Sequence, residues 1–179
     1  MPGENKAGLS EQSISRLPLE TCQTMNGMWG YKVKDQDYKS PCELVRLLVR
    51  TAGKGANLLL NIGPQPDGQL PAAALERLEA MGQWLGKYGA SIYGTQEGGY
   101  GDGETIVSTR RGNALYLHCL SNDPQSFDVA LNGVPDMLYT LDSDDTFKWD
   151  WRDGKLHVDV SPRSDASDTI IVVEGVKIF

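Results

Sequence analysis

The sequence predicts an α/β segment followed by an all-β domain. Two observations carry this. An apolar run without alternation, Ala56-Asn57-Leu58-Leu59-Leu60-Asn61-Ile62-Gly63-Pro64, lies between two stretches of helical periodicity. From about Gly98 onward, short strand-like segments recur, many of them separated by Gly or Asn-Gly turn signals. The 179 residues suffice for one large domain or two small ones.

Composition narrows the function classes. The net charge of −7 argues against an electrostatic nucleic-acid binder, because there is no basic patch to displace counterions. Cys22, Cys42 and Cys119 form no CxxC pair and no disulfide framework. With only His118 and His157 beside them, a closed zinc site is not expected. No apolar stretch approaches membrane-spanning length, and Met1 to Lys6 lacks the apolar core of a signal peptide. The first dozen residues carry no strand or helix pattern, as expected of a domain that begins in the middle of something larger.

Residues 1–19 read as loop, with Pro2, Gly3, Gly8 and Pro18 among many polar residues. Leu19 to Met28 reads as an extended segment. Trp29-Gly30-Tyr31 sets two aromatics around a glycine, a pattern suited either to packing or to a sugar-stacking platform. Ser40-Pro41-Cys42-Glu43 is a helix start: Ser40 caps, Pro41 takes the first helical position, and Glu43 completes a capping box. Leu44, Leu47, Leu48 and Ala52 then form one apolar stripe, and Gly53 and Gly55 end the helix.

The run 56–64 follows as a strand expected to be buried on both faces, as in a helix-covered parallel sheet. Its Asn61 lies near the carboxyl end, where parallel α/β folds bind ligands. The plainer reading is a core strand with a Gly-Pro turn. Gln65 to Gly68 is a turn, Pro71 opens a second helix, and Gly89 closes it. Leu75, Leu78, Trp84, Leu85 and Tyr88 are expected to line that helix, with Gly82 permitting close approach to a sheet. Such a series needs further parallel strands, which this chain does not obviously supply.

Gly98 to Gly103 reads as a linker. Strands are expected at Glu104–Thr109, Ala114–Cys119, Ser126–Leu131, Met137–Leu141, Lys155–Val160 and Thr169–Val173, forming an antiparallel sandwich. Lys148-Trp149-Asp150-Trp151-Arg152 would set two indoles on one face if it is a strand. Tyr116, Tyr139, Phe147, Trp149 and Trp151 are then either core packing or a sugar platform.

Several of these motifs, in this order, resemble family 29 glycoside hydrolases, the α-L-fucosidases. Gly55 to Pro64 with Asp67-Gly68 resembles their last barrel strand and loop. Leu19-Glu20-Thr21-Cys22 with Trp29-Gly30-Tyr31 resembles the preceding signature, and Trp84-Leu85 through Ala90 to Thr95 the final barrel helix and its exit. The resemblance covers roughly residues 2–97 and implies the C-terminal portion of a (β/α)8-like barrel over 1–97, then an antiparallel β-sandwich over 98–179.

The implied activity is retaining, exo-acting hydrolysis of terminal α-L-fucose from glycans, without metal or cofactor. That mechanism needs two carboxyl groups roughly 5–5.5 Å apart. The family's aspartate nucleophile would lie before Met1, so the chain alone is expected to be inactive and to need the missing N-terminal barrel half. Met1-Pro2-Gly3-Glu4-Asn5 falls where one arrangement of the family places its acid/base, which makes Glu4 the first candidate and Glu20 the second. Met1 departs from the family's threonine. Trp29 matches an aromatic that packs on the methyl of fucose, and Asn61 is a weaker substrate-binding candidate. The expected partner is a fucosylated glycan, with neither nucleic acid nor membrane. The full-length family members imply a secreted, periplasmic or lysosome-like location. The alternative is a non-catalytic carbohydrate-binding or assembly module built on the sandwich.

Overall fold

The computed structural model describes residues 19–142, 146–162 and 167–175. The chain divides into two compact units, 1–89 and 90–179.

In the first unit, strand β1 (Leu19–Thr24) pairs in parallel with β2 (Ala56–Asn61), from Leu19 opposite Ala56 to Thr24 opposite Asn61. Helix α1 (Pro41–Gly53) connects them and packs on β2; α2 (Ala72–Tyr88) follows and packs on α1. A single 3-10 turn at Gly89–Ser91 comes next. Helix α1 starts as its sequence requires. Ser40 Oγ accepts from Glu43 N at 3.2 Å, and Glu43 Oε2 accepts from Ser40 N at 2.7 Å. The Ser40 backbone bond, then its hydroxyl, hold the Glu43 carboxyl below its usual range. Leu44, Val45, Leu47 and Val49 bury the helix on a front wider than one stripe.

The structure corrects the readings of β2 and α2. Strand β2 is not buried on both faces. Side chains alternate along the parallel pair. Leu19, Thr21 and Gln23 share one face with Ala56, Leu58 and Leu60, and all six are buried or half-buried. The opposite face carries Glu20, Cys22, Thr24, Asn57, Leu59 and Asn61; there Glu20, Asn57 and Leu59 are exposed, Leu59 by 50%, and only Thr24 at its carboxyl end is buried. The apolar run lacks alternation because its sequence suits two covered faces, whereas one face of this pair is open. Helix α2 likewise buries Ala74 and Met81 while Leu75 and Leu78 are exposed. Gly82 is exposed too, and a Cβ there would meet nothing within 4 Å, so it permits no close approach.

In the second unit two antiparallel sheets form. The first has the order β3 (Gln96–Glu97), β4 (Ile106–Arg111), β5 (Ala114–Cys119), β10 (Thr169–Glu174), β7 (Met137–Thr140). The second has the order β6 (Gln125–Val129), β9 (Lys155–Ser161), β8 (Thr146–Arg152). One apolar core joins them, with Leu115, Leu117, Ile171 and Val173 from the first sheet and Val129, Leu156, Val158 and Val160 from the second. The β8–β9 hairpin turns on Asp153 and Gly154, both at positive φ (52° and 74°), the pairing a two-residue hairpin favours.

Residues 98–103 are not a free linker. Gly98 N donates to Ser108 O at 2.9 Å, and Tyr100 N donates to Ser108 Oγ at 2.8 Å. Gly101 sits at φ 99° with its Cα against the Ile106 backbone, where no side chain would fit. Asp102 Oδ1 accepts from the N–H groups of Glu104, Thr105 and Ile106 at 2.8, 2.7 and 2.9 Å. Partial burial pushes the Asp102 carboxyl up, but these N–H groups together outweigh it and hold the group below its usual range.

Ser40→Ala lowers unfolding free energy by about 0.5–2 kcal/mol in a urea titration. Asp102→Ala lowers it by roughly 1 kcal/mol at neutral pH. The Asp102 carboxyl is depressed in the folded state, so its stabilisation is full above the unfolded value near about 4 and is lost as pH falls through the lower folded value. The gap between Asp102→Ala and the parent chain therefore narrows below about pH 4, as paired titrations at neutral and acid pH would report.

Candidate functional site

The carboxyl ends of β1 and β2 lie side by side, and the backbone ladder continues past them: Met25 N donates to Asn61 O at 3.2 Å. The segment after β1 turns back over this end. Asn61 Nδ2 donates to Trp29 O at 2.5 Å across 32 residues of sequence. A Cβ on Gly63 would fall inside the van der Waals radii of Tyr31 N and Gly30 C, so the backbones there touch. Asn61 and Gly63 together hold the Trp29–Tyr31 segment against the end of β2. The Trp29 residue is 41% exposed, while Tyr31 is half-buried.

Beside β1, a polar pocket of about 270 Å³ is lined by Asn26, Gly27, Asp37, Tyr38, Lys39 and Glu43. Its cation is committed: Lys39 Nζ donates to Thr24 O at 2.6 Å. Glu43 is committed as well, to the cap of α1. Arg77 fixes the wall by donating to Lys39 O at 2.7 Å and stacking 5.3 Å from the Tyr38 ring centroid.

Glu4 lies outside the described residues. Glu20 is exposed on the open face of the β1–β2 pair, in register with Asn57. The structure thus brings Asn61 and Trp29 together and sets Glu20 on the sheet face whose carboxyl end they occupy. Among the described residues, no group of three or more His, Cys, Asp or Glu is placed to hold a metal.

The sandwich aromatics divide. Tyr116 is buried, and Phe147 and Trp151 pack against the core. Trp149 and Tyr139 are 41% and 37% exposed, but on different sheets, and the Tyr139 hydroxyl donates to Glu174. The five rings therefore form no common platform.

Sequence reasoning missed one cluster in the second unit. Thr109 Oγ1 donates to Ser91 O at 2.6 Å, which spends its one proton. At 3.2 Å from His118 Nε2 it then accepts, so Nε2 carries a proton. His118 Nδ1 contacts Asp168 Oδ2 at 2.6 Å, and both side chains are fully buried. Because 50 residues separate this pair, no spacing signal announces it. Enclosed in this way, it reaches no ligand and serves the fold.

The family model described as Alpha-L-fucosidase matches residues 4–90. That segment belongs to the α-L-fucosidase family. Plasma alpha-L-fucosidase of Rattus norvegicus is 46% identical over 79 residues, which are 42% of this chain and 17% of the relative. Tissue alpha-L-fucosidase of Homo sapiens is 29% identical over 147 residues, 77% of this chain and 32% of the relative. Among solved structures, alpha-L-fucosidase isoenzyme 1 from Paenibacillus thiaminolyticus superposes with a TM-score of 0.76 at 32% identity, covering 90% of this chain and 40% of that one. The Thermotoga maritima alpha-fucosidase solved in complex with fucose superposes at 0.74 with 26% identity, covering 89% and 40%. The chain therefore spans well under half the length of each of these α-L-fucosidases.

The buried pair yields a prediction. Asp168→Ala leaves His118 Nδ1 without its partner in a fully buried site and costs about 1–3 kcal/mol in chemical unfolding. Asp168→Asn keeps an acceptor and costs less.

Proposed function

We propose that the chain is the C-terminal part of an exo-acting α-L-fucosidase that removes terminal α-linked fucose from glycans. One observation carries this reading. In the segment matched by the family model, the parallel pair β1–β2 has one covered face and one open face, with Trp29 and Asn61 at its carboxyl end. Parallel sheets are found covered on both faces. A barrel completed around the open face would set Glu20, Asn57 and Leu59 inward and place Trp29 at the rim where barrel enzymes bind ligands.

In this reading the nucleophilic aspartate lies on an upstream strand outside this chain, and hydrolysis proceeds by double displacement through a covalent fucosyl intermediate. Glu4 is the first candidate for the acid/base and Glu20 the second. The required shift towards neutral working pH comes from burial and from the charge of the nucleophile, both supplied only in the complete barrel. Trp29 offers an apolar wall to C6, a methyl in fucose and a hydroxymethyl in the corresponding galactose. One such group is worth about 1–3 kcal/mol of discrimination. The sandwich unit carries the same chain onward; its aromatics are mostly spent on its own core, which speaks against the module reading.

The deciding experiment is turnover of an aryl α-L-fucoside. The chain alone gives none, and activity appears when the N-terminal barrel segment of an α-L-fucosidase is supplied in trans. Turnover by the chain alone overturns the partial-barrel reading; no turnover from the reconstituted pair overturns the fucosidase reading. In the reconstituted enzyme, Trp29→Ala lowers kcat/KM by roughly tenfold or more.

A further inference from the structure

We propose that Asn61 is a positioning residue that fixes the indole wall of Trp29 through its backbone, with Gly63 as the second half of the clamp. The proposal rests on the fucosidase reading for its substrate and on this chain's geometry for its mechanism. Asn61 stands on the last residue of β2, the register partner of Thr24. Its side-chain Nδ2 donates to Trp29 O at 2.5 Å. Two residues on, Gly63 lets the Gly30–Tyr31 backbone approach to a distance no other residue allows. The two contacts lie in succession on the carboxyl side of Trp29: one holds its carbonyl, the other the Gly30–Tyr31 peptide.

The alternative, Asn61 as a direct sugar contact, fits less well. One amide proton is already committed to the protein, and the group that it holds is the residue with the exposed ring. A half-exposed indole on a loop samples rotamers and backbone states unless something fixes it. A wall that discriminates a methyl from a hydroxymethyl has to be held within a fraction of an ångström. The strand end supplies that rigidity, and Asn61 and Gly63 transmit it to the loop. Asn61 therefore sets specificity without touching substrate.

Fluorine NMR reads Trp29 without requiring activity. The chain is labelled with 5-fluorotryptophan, and Trp29 is assigned by Trp29→Phe. Asn61→Asp preserves shape and removes the donor; Gly63→Ala adds the Cβ that has no room. Both are expected to shift or broaden the Trp29 fluorine resonance and to leave those of Trp84, Trp149 and Trp151 in place. In the unsubstituted chain, the Asn61 side-chain amide protons show nuclear Overhauser contacts to the Gly30 α protons, which lie on the carbonyl side of the Trp29–Gly30 peptide. An unmoved Trp29 resonance in Asn61→Asp overturns the clamp. So does the absence of that Overhauser contact, which needs no variant to fold.

In the reconstituted enzyme, Asn61→Asp brings the preference for aryl α-L-fucoside over α-L-galactoside, roughly tenfold or more in the parent, towards unity. A Trp29 resonance that moves while this ratio holds removes the specificity role. A reconstituted enzyme without turnover removes the fucosidase reading and leaves the clamp to the fluorine signal, so the two failures are told apart.

Discussion

A two-stranded parallel sheet is the constraint on which the first unit depends. Helix α1 packs on β2, and one face of the pair is buried or half-buried. The other face presents Glu20, Asn57 and the half-exposed Leu59. Each strand also has an edge without a partner among the described residues. Isolated pairs of this kind are marginal in water, because the surface they bury does not offset the entropy of ordering them. The exposed Leu75 and Leu78 on α2 point to the same deficit.

The carboxyl end of that sheet is better determined than its open face. Three local features converge there: the backbone bond from Met25 to Asn61, the side-chain bond from Asn61 to Trp29, and the close approach at Gly63. Each joins the segment after β1 to the end of β2. The geometry fastens the segment after β1 to the strand end at three points, with the 41% exposed Trp29 beside them. The second unit is organised differently. Its core is shared between two sheets, and its buried His118–Asp168 pair is tied through Thr109 to Ser91.

What the residues disclosed in advance followed the range of the interaction. The capping box at Ser40 and Glu43 is written within three residues, and α1 begins where it says. The Asp153-Gly154 turn is equally local. Which face of α2 is buried is a tertiary question, so Leu75 and Leu78 read as lining when they are exposed. The glycines of 98–103 read as freedom and instead serve close approach to Ser108 and Ile106. Asn61 was visible as a polar residue at a strand end; its partner, the carbonyl of Trp29, lies 32 residues away and could be found only in three dimensions. The His118–Asp168 pair was hidden for the same reason.

Amide hydrogen exchange on the chain alone distinguishes a partial barrel from a self-sufficient unit, since protection follows the free energy of local opening. If the β1–β2 pair is a partial barrel with an uncovered face, the amides of 19–24 and 56–61 exchange orders of magnitude faster than those of β5 and β10. Equal protection in the two sets would mean that the first unit needs no further strands, and the partial-barrel reading would fall.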